Sequence, residues 1–180
     1  MNAVLITAGN KRIGRSIALK LSRAGFYIYL HHHDSGEEAT QTLGELEGAG
    51  EIIKCDLGCY SAVEEMIKDL STKTQKLTHV VNNASLFSCD QALDFTENSF
   101  VDHMNVNLRG PLQLARGLHN ILEKNDRGSV INILDSKVFA LNADFFSYTL
   151  SKHGLFGATE MMAQALSPKV RVNGIAPGLT

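Results

Sequence analysis

The sequence predicts an α/β protein in which a doubly wound parallel sheet carries helices on both faces. Short β-branched or apolar runs alternate with longer amphipathic segments along the chain, the pattern of strands joined by crossover helices. Glycines punctuate the segment ends, and the first apolar run feeds directly into a glycine-containing turn. No internal repeat, low-complexity tract or Pro/Gly/Ser-rich linker interrupts this order, so residues 1–180 are expected to form a single domain with right-handed crossovers.

Six strands are expected, at Val4–Thr7, Tyr27–His31, Glu51–Cys55, His79–Asn82, Val130–Leu134 and Val170–Ile175. After the first, Ile13, Ile17, Ala18 and Leu21 recur at helical spacing, and after the third Val63, Met66, Ile67 and Leu70 do the same. Each set can lay one apolar stripe on a sheet face. Gly25 reads as the end of the first helix and the Gly48, Gly50 pair as the end of the second, where only glycine takes positive φ cheaply. Phe100 to Lys124 reads as one long helix or two abutting pieces, with Pro111 forcing a bend or a new helical start because it lacks a backbone donor.

Seventeen Lys plus Arg against nineteen Asp plus Glu leave a formal charge of −2, too balanced for a protein that binds nucleic acid by neutralising phosphates. Hydrophobic residues make up 44% and charged residues 20%, a globular mixture and not a disordered or fibrous one. The apolar run Ala3–Ile6 is far short of the roughly 20 residues that cross a membrane, and it has no basic flank, so neither a span nor a signal peptide is expected. Cys55, Cys59 and Cys89 are odd in number and sparse, which argues for a reducing compartment, by default the cytoplasm.

The first strand runs into Thr7-Ala8-Gly9-Asn10-Lys11-Arg12-Ile13-Gly14 and then a helix. Such a turn puts backbone N–H groups and a helix dipole toward an anion and suits a dinucleotide pyrophosphate, although a tight βα loop alone would read the same. The second strand ends in His31-His32-His33-Asp34-Ser35. An acidic residue there would hold the ribose hydroxyls of NAD, whereas the Lys11, Arg12 pair, approaching from the first turn, favours NADP. Consecutive histidines on a strand point to opposite faces and share one ion poorly, so no metal is expected and they read as solvent-facing. Tyr148 and Lys152 are four apart, hence on one helix face. A phenol with a pKa of about 10 is a sluggish acid–base group, and a neighbouring cation favours its phenolate.

Together these stretches resemble the short-chain dehydrogenase/reductase family, over essentially all 180 residues. The family turn reads Thr-Gly, three residues, Gly, one residue, Gly; this chain keeps Gly14, with Ala8 at the first glycine and Arg12 at the middle one. Lys11-Arg12 is the form of the pteridine reductase branch. The resemblance implies a Rossmann-type fold and assigns Gly9, Lys11, Arg12, Ile13 and Gly14 to the cofactor. Pteridine reductases carry His, an aromatic, His, Arg, Ser after the second strand, so His33 and Ser35 match while Asp34 stands for the Arg. Asp56 lies where the family holds the adenine amino group, or else is a cap or turn residue. Asn82-Asn83-Ala84 looks like the family's Asn-Asn-Ala-Gly, with Ser85 for the glycine, and Arg171 to Gly178 follows at the usual distance, bringing Pro177 and Gly178 to the cofactor.

By the same resemblance Tyr148 and Lys152 are the catalytic pair and also border the cofactor. Thirteen residues before Tyr148 the wider family has a catalytic Ser; Asp135 stands here, as in the pteridine reductases, with slippage onto Ser136 as the alternative. Phe87 matches the ring that stacks the pterin, and Asn107 the helix Asn that completes the catalytic tetrad through a bound water, or else a helix surface amide. The expected reaction is hydride transfer from NADPH to a dihydropteridine while Tyr148, backed by Asp135 and Lys152, protonates nitrogen. Arg12, Ser85, Phe87, Asp135 and Tyr148 would contact that substrate. Two other readings are a carbonyl or 3-oxoacyl reductase of the same family and a catalytically silent NADP-binding sensor or scaffold. The partner expected is a small molecule, not nucleic acid or a membrane, and the family suggests a homotetramer packed through Phe100 to Lys124 and Ser147 to Leu166. Family chains continue past Pro177-Gly178 through a substrate-covering loop and helix to a seventh strand, so a chain ending at Thr180 is expected to be incomplete.

Overall fold

Unbroken apolar runs build the centre of the sheet. In the computed structural model, which describes residues 2–178, β1 (Ala3–Ile6) is buried along its whole length, as a strand covered on both faces must be. Thr180, on which the expectation of an incomplete chain falls, lies outside the described residues. Side chains alternate across β1: Ala3 and Leu5 enter one core, Val4 and Ile6 the other. Helix α1 (Arg12–Arg23) packs Ile17, Ala18 and Leu21 on the second core, where it meets α2 (Gly36–Gly44) through Ala39 and Leu43. The opposite core takes Val63, Met66 and Leu70 of α3 (Tyr60–Ser71), the stripe expected from the sequence.

The chain starts at the middle of the sheet and works outward. From β1 it passes to β2 (Tyr27–His32) and β3 (Gly50–Lys54), then returns past β1 to β4 (Leu77–Asn82), β5 (Gly128–Ile133) and β6 (Val170–Ile175). The order is β3-β2-β1-β4-β5-β6, and every pairing is parallel. This is the Rossmann-type architecture predicted, and its strand order reverses between β1 and β4. Ligands of such sheets bind in the crevice outside the carboxyl ends of the strands at that reversal.

The expected strands are found within two residues of their predicted ends. Gly25 has φ of 84° and ends α1 as read from the sequence. The Gly48, Gly50 reading is corrected: α2 already ends at Gly44, and Gly50 opens β3. Space, not φ, requires glycine there, since a Cβ on Gly50 would lie 2.8 Å from the Ile28 carbonyl oxygen. The Phe100 to Lys124 stretch is two helices, α4 (Glu97–Met104) and α5 (Gly110–Ile121), joined through a widened helical turn at Asn105–Arg109. The Gly110 N–H reaches back five residues to Asn105 O, so Pro111, which has no donor to give, falls where the register has already been relaxed. The last helix, α6 (Phe146–Ala165), lies on the α3/α5 side and packs Met162 and Ala163 against the core.

Candidate active site

The loop from β1 to α1 is drawn together by its neighbours. Thr7 Oγ1 accepts the N–H groups of Asn83 (2.8 Å) and Ala84 (2.9 Å), and the Asn83 side chain donates to the carbonyls of Thr7 (3.0 Å) and Ala8 (3.1 Å). The end of β4 is thereby stitched to the turn after β1. Gly14 is needed because the Ala8 carbonyl and Asn83 Nδ2 occupy the space a Cβ would take, and Gly9 because one would lie 2.7 Å from Leu30 Cδ1. Both residues that replace family glycines adopt left-handed backbone: φ is 48° at Ala8 and 50° at Arg12. A glycine would take that conformation without steric cost; at Ala8 hydrogen bonds to Asn83 and His31 hold it.

One of those bonds corrects the reading of the histidines as solvent-facing. His31 and His32 are buried; only His33 is exposed. The Ala8 N–H donates to His31 Nδ1 (3.1 Å) and the Gly9 N–H to the His31 carbonyl (3.0 Å). With Nδ1 accepting, the proton sits on Nε2, 3.0 Å from the Cys55 carbonyl. Burial pushes the His31 pKa down to about 4, so a neutral imidazole bridges β1, β2 and β3 beneath the turn. Thr7 and His31 are functional residues the sequence reading missed; a histidine in register with the buried Tyr29 of β2 was the available signal.

A cavity of about 490 Å³ opens above this turn. It brings together Lys11, Arg12, Ile13 and Asn83 on one side, Ser85 and Phe87 above, Asp135, Tyr148 and Lys152 on the other, and Pro177 and Gly178 at the end of the described chain. Gly9, Gly14 and Ala84 underlie it as packing. His33, Ser35 and Asp56 lie outside its lining. Lys11 Nζ donates to Ser35 Oγ (3.2 Å), which ties the turn to the end of β2. Asp34 pairs with His33 at 3.4 Å and is 81% exposed at its side chain, so it points to water and not into the cavity. Asp56 is a turn residue: Oδ1 accepts the Gly58 N–H at 2.8 Å, and Cys59 occupies the cap position of α3. A dinucleotide fits this frame, because α1 opens without a side-chain cap on its first-turn N–H groups and Lys11 and Arg12 stand beside them.

At the reactive end, α6 places Tyr148 and Lys152 on one buried face. Tyr148 donates its phenolic proton to Asp135 Oδ2 at 2.7 Å, and Lys152 Nζ donates to the Ile133 carbonyl at 2.9 Å. Asp135, at the tip of β5, is oriented by the Lys137 N–H on its Oδ1 (2.8 Å). Ser136 Oγ makes its contact with Asp135 Oδ1 at 3.5 Å, so the carboxylate and not Ser136 faces the phenol. Burial first, then the hydrogen bond and charge of Asp135, drive the Tyr148 pKa well above the ordinary phenol value. Burial lowers that of Lys152 to about 8, against the charge of Asp135. The direction is upward, opposite to the one expected of a neighbouring ammonium, because burial and Asp135 are the leading causes.

Asn107 is not a surface amide. Fully buried in the widened turn, it accepts the Leu86 N–H (2.7 Å) and donates to Leu86 O (2.9 Å) and Ser151 Oγ (3.0 Å). Phe87 projects into the cavity at 55% exposure, and one of its faces is stacked on Phe145 at 4.2 Å, a partner the sequence reading did not foresee. Among the described residues no helix is long and apolar enough to cross a membrane, and no cluster of three metal-ligating side chains occurs.

Comparison with known proteins places this geometry in context. The curated relatives include the 3-oxoacyl-[acyl-carrier-protein] reductase FabG of Staphylococcus epidermidis, 28% identical over 98% of this chain and 74% of its own length. Another, the 2-dehydro-3-deoxy-D-gluconate 5-dehydrogenase of Bacillus subtilis, is 32% identical over 97% of this chain and 69% of its own. Among solved structures, the FolM alternative dihydrofolate reductase 1 of Brucella canis, complexed with NADP, superposes with a TM-score of 0.92 at 37% identity, over 98% of this chain and 72% of that one. The family model described as short chain dehydrogenase matches residues 2–180, and with the turn, the crevice and the Tyr148–Lys152 pair in place, the chain belongs to the short-chain dehydrogenase/reductase family.

Proposed function

We propose that this chain is an NADPH-dependent reductase of dihydropteridines, acting as one domain. The observation that carries the reading is the hydrogen bond from Tyr148 to the carboxylate of Asp135, where a carbonyl reductase of this family would need a hydroxyl. NADPH, when bound, supplies the hydride that reaches a ring carbon of the C=N bond. Tyr148 gives its proton from Oη to the ring nitrogen; a phenol held protonated suits a donor and not a base. Lys152, whose ammonium is destabilised by burial and lies 5.8 Å from the Tyr148 ring centroid, is the acid we assign to reprotonating Oη. Phe87 offers an aromatic wall for a flat heterocycle. Arg12 and Ser85 line the same cavity, and Lys11 with Ser35 supplies the donors expected for the extra phosphate of NADP. The FolM structure with NADP supports both halves of this reading.

The FabG relatives favour a second reading, reduction of a 3-oxoacyl thioester. Turnover of a dihydropteridine against an acetoacetyl thioester separates the two. The third reading, a silent NADP-binding module, loses one of its motives because Asp34 faces water. Replacing Tyr148 by Phe is expected to cut pteridine turnover by about 10²–10⁴ and leave NADPH affinity, followed by fluorescence titration, nearly unchanged; full activity in that variant would remove Tyr148 from the reaction. We further assign the chain to the cytoplasm, in keeping with three free cysteines, and to a homotetramer through α5 and α6, whose groove is lined by Leu112, Met161, Met162 and Leu166.

A further inference from the structure

Behind the cavity lies a buried polar network that no step of the reaction uses. Residues 83–96, between β4 and α4, contain Phe87 and no regular element, and a segment of this length needs anchors to hold one shape. The anchors fall at alternate positions. Leu86 is gripped through both its backbone groups by Asn107. Ser88 is held by His103, which is fully buried: Nδ1 lies 2.7 Å from the Ser99 carbonyl, an acceptor only, so Nδ1 carries the proton and Nε2 accepts from Ser88 Oγ (3.2 Å) and N–H (3.4 Å). Phe87 therefore stands between two fixed neighbours.

The third anchor reaches the helix that carries the proton donor. Asp90 is 8% exposed; its Oδ1 accepts the Ser147 N–H (2.9 Å), its Oδ2 the Ser99 hydroxyl (2.8 Å), and its carbonyl the Phe146 N–H (3.0 Å). Ser147 and Phe146 open α6, while Phe145, at the cap position, has φ of 59° and offers no side-chain acceptor. A carboxylate far back in sequence does the capping, where the positive end of the helix dipole favours negative charge. Burial works against that charge, yet the donors from Ser147 and Ser99 leave the Asp90 carboxyl below its usual range. The His103 ring closes the arrangement 6.5 Å from the Tyr148 ring.

We propose that Asp90, Ser99 and His103 are positioning residues that set how Phe87 meets Tyr148, whose rings stand edge to face at 4.7 Å, Asp90 by fixing the first turn of α6 and His103 by fixing the backbone beside Phe87. The proposal rests on the reading of Tyr148 as proton donor to a substrate flanked by Phe87. Its test uses the full chain with Asp90→Ala and Asp90→Asn, read by amide hydrogen exchange at Ser147, the Tyr148 ring carbon signal, and steady-state turnover of a dihydropteridine. In Asp90→Ala, Ser147 should lose protection, the Tyr148 signal should move, and kcat should fall about tenfold or more with NADPH affinity within about threefold. Asp90→Asn, whose amide oxygen still accepts from Ser147, should restore protection and most of kcat. Lowered melting with unchanged kcat, or an Asn variant as impaired as Ala, would overturn the proposal. Should Asp90→Ala fail to fold, His103→Gln decides: the pteridine KM should rise with kcat within about twofold, and an unchanged KM would overturn it. Should the unmodified chain reduce no pteridine, the reading under Proposed function falls, and the Ser147 and Tyr148 signals alone judge the network.

Discussion

His31 and Lys152 are bases that the fold holds against protonation, and both leave a signature in stability. His31 has a folded pKa of about 4 against 6.5 for a free imidazole, and Lys152 about 8 against 10.5. In each window between the two values the unfolded chain binds a proton that the folded chain does not, so stability rises with pH. Stability contributed by neutral His31 is present above 6.5 and lost as pH falls toward 4. The burden of a buried Lys152 ammonium is complete below 8 and relieved above it, until the raised phenols of Tyr27, Tyr29 and Tyr148 reverse the slope near the top of the range. Urea unfolding followed across pH should show two rising limbs of up to about 1.4 kcal/mol per pH unit per group. Lys152→Met should flatten the upper limb alone, and a flat upper limb in the unmodified chain would contradict the burial of that ammonium. Little of this was legible in the sequence: of three adjacent histidines, only the register of His31 with Tyr29 hinted that one would be buried beneath the first turn, whereas the four-residue spacing of Tyr148 and Lys152 sufficed to put them on one face. The upward direction of the Tyr148 shift comes first from desolvation and then from Asp135, and burial depth is a property of the packed structure that spacing does not reveal.

At the scale of the element, the turn from β1 to α1 carries a strain that its sequence announces. The family pattern asks for glycine at two positions where this chain has Ala8 and Arg12, and both residues are found at positive φ. Pattern alone made these departures visible; what holds Ala8 at positive φ, the Asn83 amide donating to its carbonyl and its own N–H donating to His31, required the structure to be seen. Ala8→Gly should stabilise the protein by up to about 1 kcal/mol, since relief of the left-handed strain exceeds the added entropy of the unfolded chain. The variant should keep its affinity for NADPH, because Asn83 and His31 continue to bind the same backbone atoms. Thermal melting decides it, and a lower melting temperature would mean that the Ala8 methyl earns more by packing than its φ costs. The α4–α5 stretch shows the complementary case. Pro111 advertised a break, but the widened turn that absorbs it also buries Asn107, and no periodicity in Val106-Asn107-Leu108 foretells a side chain committed to the backbone of Leu86.

For the whole molecule, the strand order explains why residues so distant in sequence meet: the reversal between β1 and β4 brings the first turn, the segment after β4 and the tip of β5 to one rim. The opposite consequence is that, among the described residues, an apolar groove between α5 and α6 leaves Met161 exposed. Their groove of about 440 Å³ is lined by Tyr60, Leu112, Met161, Met162 and Leu166, with Met161 71% exposed. Apolar surface that is contiguous and walled by two helices lowers its free energy by association, and an isologous contact would double the area buried. Light scattering at micromolar concentration should give a mass above that of one chain. Met161→Glu should shift it toward the monomer: a carboxylate at an exposed position costs little in the lone chain, but each two-fold contact would set two such charges against each other in a desolvated seam. The melting temperature of the monomer should then change little, while that of the assembly should lose its dependence on concentration. A chain that runs as a monomer before any substitution would show that these side chains serve only the packing of α5 on α6.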